Sequence, residues 1–147
     1  MVTRQVFTVF NTYAICVNDV IRTERILFVG GDLPKSSLAT LEECGFKVQL
    51  VPDSRDAYSE LAKSHFDLVI VNLVELTEGI DFIKRIRTTM TLNSVPVLVV
   101  GDWGSGQPAF ALSKGADAYE KTPIDALRLI GSIKRVVSER AVAAGKQ

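Results

Sequence analysis

Short apolar runs alternate along most of the chain with segments whose apolar residues recur every three or four positions. Such runs are typical of strands buried on both faces of a parallel sheet, and the wider spacing is typical of amphipathic helices. The clearest run is 67–72, in which four consecutive apolar residues lead to Asn72. The alternation between residues 25 and 140 therefore predicts one α/β domain.

The pattern resolves into five strands and five helices joined by short loops. The predicted strands lie at 26–29, 46–51, 67–72, 96–100 and 117–120. The predicted helices lie at 34–44, 54–62 and 80–87, in a short segment that ends at Gly115, and at 123–139. This order predicts right-handed crossovers and a doubly wound, flavodoxin-like (βα)₅ sheet with strand order 2-1-3-4-5.

Several charged residues are expected on the surface of this domain. The third helix carries its apolar stripe on the isoleucines, so Arg87 is expected to face water. Glu75 and Glu78 are placed in a polar loop before that helix and are interpreted as surface charges. His65 has no nucleophile or metal-ligand spacing near it and is interpreted as an exposed residue at a helix end.

Two segments flank the domain. Residues 1–24 are apolar without a clear period, and we expect them to lie outside the domain core, either poorly ordered or packed at a sheet edge. A signal peptide is disfavoured, because Asn11 and Thr12 interrupt the apolar run and no clear cleavage site follows. Residues 141–147 are predicted to form a C-terminal tail.

Charge and composition argue against several classes of function. The 147 residues include 17 Lys and Arg and 17 Asp and Glu, so a zero net charge gives no reason to expect nucleic-acid binding. No apolar run approaches the roughly 20 residues that span a bilayer. Cys16 and Cys44 lack metal-ligand spacing and are interpreted as reduced thiols. We therefore expect a cytoplasmic protein that binds neither nucleic acid nor membrane.

The candidate site lies where the first, third and fourth strands end, since open α/β sheets place their chemistry at this edge. Gly30 and Gly31 follow the first strand, Asn72 ends the third, and Gly101 follows the fourth. Backbone N–H groups of these glycines and of the glycine-rich loop 101–106 could hold an anion or a small ligand. Glycines in such loops also serve turn geometry alone.

Four segments in the expected order resemble the receiver domain of bacterial two-component response regulators. They are RILFVGGD at the first strand, FDLVIVNL at the third, VPVLVVGD at the fourth and KGADAYEKTPI at the fifth. The resemblance covers residues 25–140. It implies a receiver-like fold, and a family chemistry in which an aspartate accepts a phosphoryl group beside a Mg²⁺ ion held by an acidic pair.

The resemblance also implies which residues stand at the functional positions, and each of them is altered. The acidic pair falls on Gly30 and Gly31, and the phosphoacceptor falls on Asn72. The switch hydroxyl falls on Gly101, and the lysine that precedes the proline falls on Thr122. We therefore expect a degenerate receiver, or pseudo-receiver, with no catalytic residue, no metal and no cofactor.

Three charged residues lie one position away from the family's functional positions, and each has a simpler interpretation. Asp32 follows the acidic-pair position and suits the N-cap of the first helix. Asp102 follows Gly101 and is expected to be a solvated loop residue. Lys121 precedes the lysine position, and a shift by one residue along a strand turns a side chain to the opposite face.

The resemblance favours a stand-alone, non-enzymatic module of a two-component or phosphorelay system, which binds a protein partner independently of phosphorylation. The partner would be a kinase, a regulator or an output protein, or a second copy of the chain. It would bind the fourth helix, fifth strand and fifth helix, where Trp103 and Tyr119 are candidate aromatic anchors, although Tyr119 could equally be core.

Two other functions stay open. One is a working phosphoacceptor that uses the displaced charged groups. The other is a flavodoxin-like domain that binds a small ligand or nucleotide through its glycine-rich loops.

Overall fold

The structure, a computed structural model, describes residues 25–31, 33–73, 75–102, 107–122 and 125–145. Strands β1 to β5 span Arg25–Gly30, Lys47–Val51, Leu68–Asn72, Val97–Gly101 and Ala118–Lys121. Helices α1 to α5 span Lys35–Glu43, Ser54–Lys63, Leu76–Thr88, Gln107–Ser113 and Ala126–Gly145. Trp103, Asp32 and residues 1–24 lie outside the described residues.

The strands form one parallel sheet in the order β2-β1-β3-β4-β5. The predicted fold class and strand order are therefore confirmed. The three inner strands of this order, β1, β3 and β4, have a neighbouring strand on both sides. This position explains why they are the most apolar runs.

Helices cover both faces of the sheet and divide the core into two clusters. Leu27 and Val71 face the cluster that includes buried residues of α2, α3 and α4. Phe28 and Ile70 face the opposite cluster, which includes buried residues of α1 and α5. Because successive side chains of a strand point to opposite faces, a strand in this position must be apolar throughout.

The end of α1 shows how glycine separates a helix from the next strand. Gly45 has a φ of 96°, in the left-handed region that favours glycine. The Gly45 N–H donates to the Glu42 carbonyl at 3.0 Å, and the Phe46 N–H donates to the Leu41 carbonyl at 3.1 Å. These two bonds satisfy carbonyls that the helix end leaves open, and they turn the chain into β2.

Helix α3 begins four residues earlier than the sequence predicted. The segment of Glu75 and Glu78 was expected to be a loop, but α3 starts at Leu76, and the Gly79 N–H donates to the Glu75 carbonyl at 3.1 Å. Acidic residues in a first helical turn are stabilised by the helix dipole, so Glu78 is compatible with a helix start. The loop prediction was therefore wrong for residues 76–79.

Helix α5 begins three residues later than predicted and continues farther. Asp125 caps its start, because the Asp125 carboxylate accepts a hydrogen bond of 2.8 Å from the Arg128 N–H. The helix runs to Gly145, whereas the sequence prediction ended it at 139. The alanines in its last turns have the highest helix propensity of any residue, which explains the extension.

Arg87 is half-buried instead of facing water. Its Nε donates to the Gly115 carbonyl at 2.9 Å, and its Nη1 donates to the Val95 carbonyl at 2.7 Å. Its Nη2 forms an ion pair of 3.0 Å with the Asp117 carboxylate. Arg87 thereby joins α3 to the segments that lead into β4 and β5, and the prediction of a solvated side chain was wrong.

Two further observations bear on the sequence predictions. Cys44 is buried in the core between α1 and β2 and is disulfide-bonded, so the prediction of a reduced thiol at this position was wrong. Cys16 lies outside the described residues. Within the described part of the chain, no helix combines the length and the apolar character that crossing a membrane requires.

Candidate functional site

The carboxyl ends of β1 and β3 lie side by side and form the centre of the candidate site. In the parallel pairing of these strands, Gly30 is directly opposite Asn72. Asn72 is half-buried at the end of an otherwise fully buried strand. The structure therefore brings together Gly30 and Asn72, two residues of the site that the sequence predicts.

The backbone of Gly30 is packed against the backbone of Asn72. Gly30 has a φ of +101°, and a Cβ atom built on it would lie 2.3 Å from the Asn72 carbonyl oxygen and 2.8 Å from the carbonyl carbon. A contact this short cannot persist, and L-residues rarely adopt this φ value. The end of β1 is therefore built for glycine at position 30.

Gly31 differs from Gly30 in both conformation and surroundings. Gly31 is exposed, and a Cβ atom built on it would lie 3.7 Å from Nδ2 of Asn72, an ordinary van der Waals contact. A side chain at position 31 would therefore reach the side chain of residue 72 without displacing the backbone. Nothing in the sequence distinguishes the two adjacent glycines.

Gly101 and Thr122 meet at the next part of the edge. Gly101 is buried, and its carbonyl accepts hydrogen bonds of 3.1 Å from the Thr122 N–H and from the Tyr119 hydroxyl. Lys121 is exposed at the end of β5 and pairs in register with Gly101. Asp102 is exposed as well.

Tyr119 belongs partly to the core. Its ring packs against the cluster beneath α2, α3 and α4, and its hydroxyl points to the carboxyl edge of β4. The side chain is half-buried, so part of it contributes to the surface near β5. Trp103 and Asp32, together with most of the glycine-rich loop 101–106, lie outside the described residues, and their predicted roles stay predictions.

Glu78 faces Ser54 at the N-terminus of α2. The Glu78 carboxylate accepts hydrogen bonds from the Ser54 hydroxyl at 3.0 Å and from the Ser54 N–H at 3.3 Å. A cavity of about 360 Å³ opens here, and it is also lined by Glu75 and Asp81. Among the residues that the structure describes, no three His, Cys, Asp or Glu side chains are grouped so that they could hold a metal ion.

A polar network that the sequence analysis missed joins β5 to α5. Glu120 accepts a hydrogen bond of 2.6 Å from the hydroxyl of Ser132, which is buried in α5. The same carboxylate lies 3.2 Å from the Arg128 guanidinium and 3.6 Å from that of Arg135. Both arginines are more than half exposed, so they add positive charge to the surface next to β5.

The surface around α4 and the start of α5 also carries apolar side chains. Phe110 and Leu112 on α4 and Leu127 on α5 are exposed. The Lys114 ammonium lies 5.3 Å from the centre of the Phe110 ring. The fourth helix, fifth strand and fifth helix therefore present both apolar and basic groups.

At the amino edge of the sheet, a second cavity of about 530 Å³ lies between α2 and the start of β4. His65 is exposed there, as predicted, and its Nε2 lies 3.0 Å from Asp67. Asp67 also accepts a hydrogen bond of 2.8 Å from the Arg25 N–H. These contacts fix the start of β1 against β3, and they face away from the candidate site.

Tyr58 on α2 lies in an environment that lowers its pKa. A hydrogen bond of 2.9 Å between the Tyr58 and Thr89 hydroxyls is the main cause that lowers the pKa of Tyr58 below its usual value. The Arg85 guanidinium, whose central carbon lies 3.8 Å from the centre of the Tyr58 ring, lowers it further. This cluster stabilises the contact between α2 and α3.

The fold is shared with solved receiver structures. The chemotaxis response regulator CheY4 of Vibrio cholerae is 22% identical with a TM-score of 0.69, and the match covers 78% of this chain and 99% of that one. A CheY-like receiver domain protein from Methanospirillum hungatei is 23% identical with a TM-score of 0.70, covering 81% of this chain and 97% of that one. The receiver domain of a histidine kinase from Syntrophus aciditrophicus is 24% identical with a TM-score of 0.67, covering 80% and 92%.

These likenesses show that the chain has the same fold as the three proteins over about four-fifths of its length. No family model matches the chain, and no curated protein matches it. The proposal about function therefore rests on the residues of the candidate site.

Proposed function

We propose that the protein is a receiver-like signalling module that is not phosphorylated and that acts by binding a protein partner. The observation that carries the proposal is Asn72 at the carboxyl end of the central strand, opposite Gly30 and beside Gly31. The fold shared with receiver proteins and the four segments that resemble the family support a role in two-component or phosphorelay signalling.

The chemistry of the edge supports the loss of phosphorylation. Phosphoryl transfer to an aspartate requires a carboxylate nucleophile, and Asn72 provides an amide. The transfer also requires positive charge around the phosphoryl oxygens, which a metal ion and a lysine normally supply. Gly30 and Gly31 offer no side-chain oxygen to a metal ion, and Thr122 offers no charge. The protein is accordingly not an enzyme in this proposal.

The position of Gly101 supports a single conformational state. A hydroxyl at this position could follow a new phosphate, but glycine has none. The Gly101 carbonyl instead already accepts hydrogen bonds from Thr122 and Tyr119, which hold the ends of β4 and β5 together. We therefore expect partner binding without a phosphate-dependent switch.

The surface of α4, β5 and α5 is the proposed binding face. Its exposed apolar residues Phe110, Leu112 and Leu127 could fill pockets on a partner, and Arg128 and Arg135 could meet acidic groups at the rim. The partner is a kinase, a regulator or an output protein, and a second copy of the chain would use the same face.

The absence of a phosphate-dependent state is tested by recording amide NMR spectra before and after adding acetyl phosphate and Mg²⁺. The proposal predicts superimposable spectra for residues of β4, β5 and α4. Shifts of the Gly101, Thr122 and Tyr119 amides that disappear as the donor is hydrolysed would contradict it.

The binding face is tested with two matched substitutions. Leu112 and Leu50 are 46% and 48% exposed, and they lie on α4 and on the opposite edge strand β2. Leu112→Arg is expected to weaken capture of the partner from a lysate of the native host, whereas Leu50→Arg is expected to leave it unchanged. Equal capture by both variants would place the binding face elsewhere. Sedimentation velocity of the same variants shows whether the captured partner is a second copy.

A further inference from the structure

The fold that this chain shares implies a Mg²⁺ site at the carboxyl edge of the sheet, and the residues there do not fit one. Mg²⁺ is bound in near-octahedral geometry by one or two carboxylates together with water molecules or phosphate oxygens. Gly30 and Gly31 contribute no side-chain oxygen, and Asn72 contributes a neutral amide. The sequence alone suggests that the ligands were lost by simple replacement, so that an aspartate at either glycine could restore one.

The backbone at Gly30 does not allow that restoration. Its φ of +101° and the distance of 2.3 Å from a built Cβ atom to the Asn72 carbonyl oxygen leave no room for a side chain. The obstructing atoms belong to the backbone of β3 and to the Leu73 side chain, which would lie 3.1 Å from the Cβ atom. The backbone atoms where two neighbouring strands pair cannot shift as the end of a flexible side chain can.

We propose that the backbone contact between Gly30 and Asn72 closes position 30 to a carboxylate, so that a divalent-metal site cannot be regained by replacing Gly30. Gly31 is then the one acidic-pair position at which a carboxylate can be regained. This inference rests on the proposed function, in which the receiver-like edge binds no metal ion. It goes further by assigning the closure of position 30 to the backbone conformation of one residue.

Gly31 provides the contrast that makes the inference testable. A Cβ atom at Gly31 lies in ordinary contact with Nδ2 of Asn72, at 3.7 Å. A carboxylate on that Cβ would stand next to residue 72, so Gly31→Asp combined with Asn72→Asp would place two carboxylates at one sheet edge. Gly30→Asp combined with Asn72→Asp would first have to break the backbone contact between Gly30 of β1 and Asn72 of β3.

The direct test is Mn²⁺ binding, measured by electron paramagnetic resonance with Mg²⁺ as competitor. We expect no saturable binding to the wild-type chain or to G30D/N72D, and saturable, Mg²⁺-displaceable binding to G31D/N72D that is at least tenfold tighter than to N72D alone. Equal binding by G30D/N72D and G31D/N72D would overturn the inference. Failure of a folded G31D/N72D to bind would overturn the assignment of Gly31 as the open position.

A second measurement keeps the inference falsifiable if G30D/N72D does not fold. The alanine variants Gly30→Ala, Gly31→Ala and Gly131→Ala add the same methyl group, and Gly131 lies on α5 with no atom within 4 Å of a built Cβ. Gly30→Ala is expected to lower the urea midpoint of unfolding clearly, and the other two are expected not to lower it. An unchanged midpoint for Gly30→Ala would show that the backbone contact does not exclude a side chain.

The two proposals fail in different ways. Mn²⁺ binding by G30D/N72D that is clearly tighter than binding by N72D alone would overturn the inference about Gly30. Phosphorylation of the wild-type chain would overturn the proposed function, whatever the metal measurements show.

Discussion

Replacing Arg87 by leucine tests the account of how the amino edge of the sheet is held together. The substitution keeps an apolar stem of similar width but removes the donors to the Gly115 and Val95 carbonyls and the ion pair with Asp117. Asp117 keeps the 2.8 Å hydrogen bond from the Val97 N–H, so its carboxylate is not left without a donor.

The expected loss in the free energy of unfolding follows from the burial of Arg87 and from the kind of bonds that are lost. Removing one partner of a buried ion pair costs about 3–5 kcal/mol, and an exposed pair is worth less than about 1 kcal/mol. The side chains of Arg87 and Asp117 are 16% and 21% exposed, which places the pair nearer the buried limit. We therefore expect a loss of about 3 kcal/mol in the free energy of unfolding, or about 6–12 °C in Tm for a chain of this size.

Urea denaturation followed by far-ultraviolet circular dichroism measures this loss. Arg135→Leu is the matched control, because Arg135 also pairs with a carboxylate but is 53% exposed at 3.6 Å. The control is expected to lose less than about 1 kcal/mol. A loss for Arg87→Leu that is no larger than the loss for Arg135→Leu would refute the argument.

Three further predictions concern single residues. Tyr58→Phe should remove a tyrosine that ionises below the usual tyrosine pKa in a titration of phenolate absorbance, because the hydrogen bond with Thr89 lowers the pKa of Tyr58. The stability that comes from this ionisation is present above the pKa of the unfolded chain and is lost as the pH falls through the lower folded pKa. An unchanged titration would contradict the assignment. Ser132→Ala should lower the free energy of unfolding by about 1 kcal/mol in urea denaturation, because it removes the buried hydrogen bond to Glu120. An unchanged midpoint would show that the ion pairs with the arginines are enough to hold Glu120 in place. Gly131→Ala should stabilise the chain by about 0.5–1 kcal/mol, since the position is exposed in a helix interior and its Cβ meets no atom; destabilisation would show a contact on that side of α5.

The sequence predicted the sheet well because each central strand must be apolar on both faces. The run 68–71 could only be buried between two helical layers, and the alternation with helices then set the parallel order. Prediction failed where a polar residue has a partner far away in sequence. Arg87 looks like a solvated residue of α3 until its contacts with the segments before β4 and β5 are known.

The place of the candidate-site residues at the sheet edge was predictable from the sequence, but the geometry between them was not. Asn72, Gly101 and Thr122 can be placed from motif spacing, and the structure puts Asn72 opposite Gly30 and joins Gly101 to Thr122. The difference between Gly30 and Gly31 could not be predicted, because it depends on a φ value and on the distance to the β3 backbone.

We propose that this receiver-like sheet edge does not accept a phosphoryl group. The direct measurement is intact-mass spectrometry of the wild-type chain and of Asn72→Asp after incubation with acetyl phosphate and Mg²⁺. We expect no mass increase for either protein, because Asn72 supplies no carboxylate and the variant still lacks the metal ligands and the lysine. A hydroxylamine-sensitive gain of one phosphoryl group on the wild-type chain would contradict it.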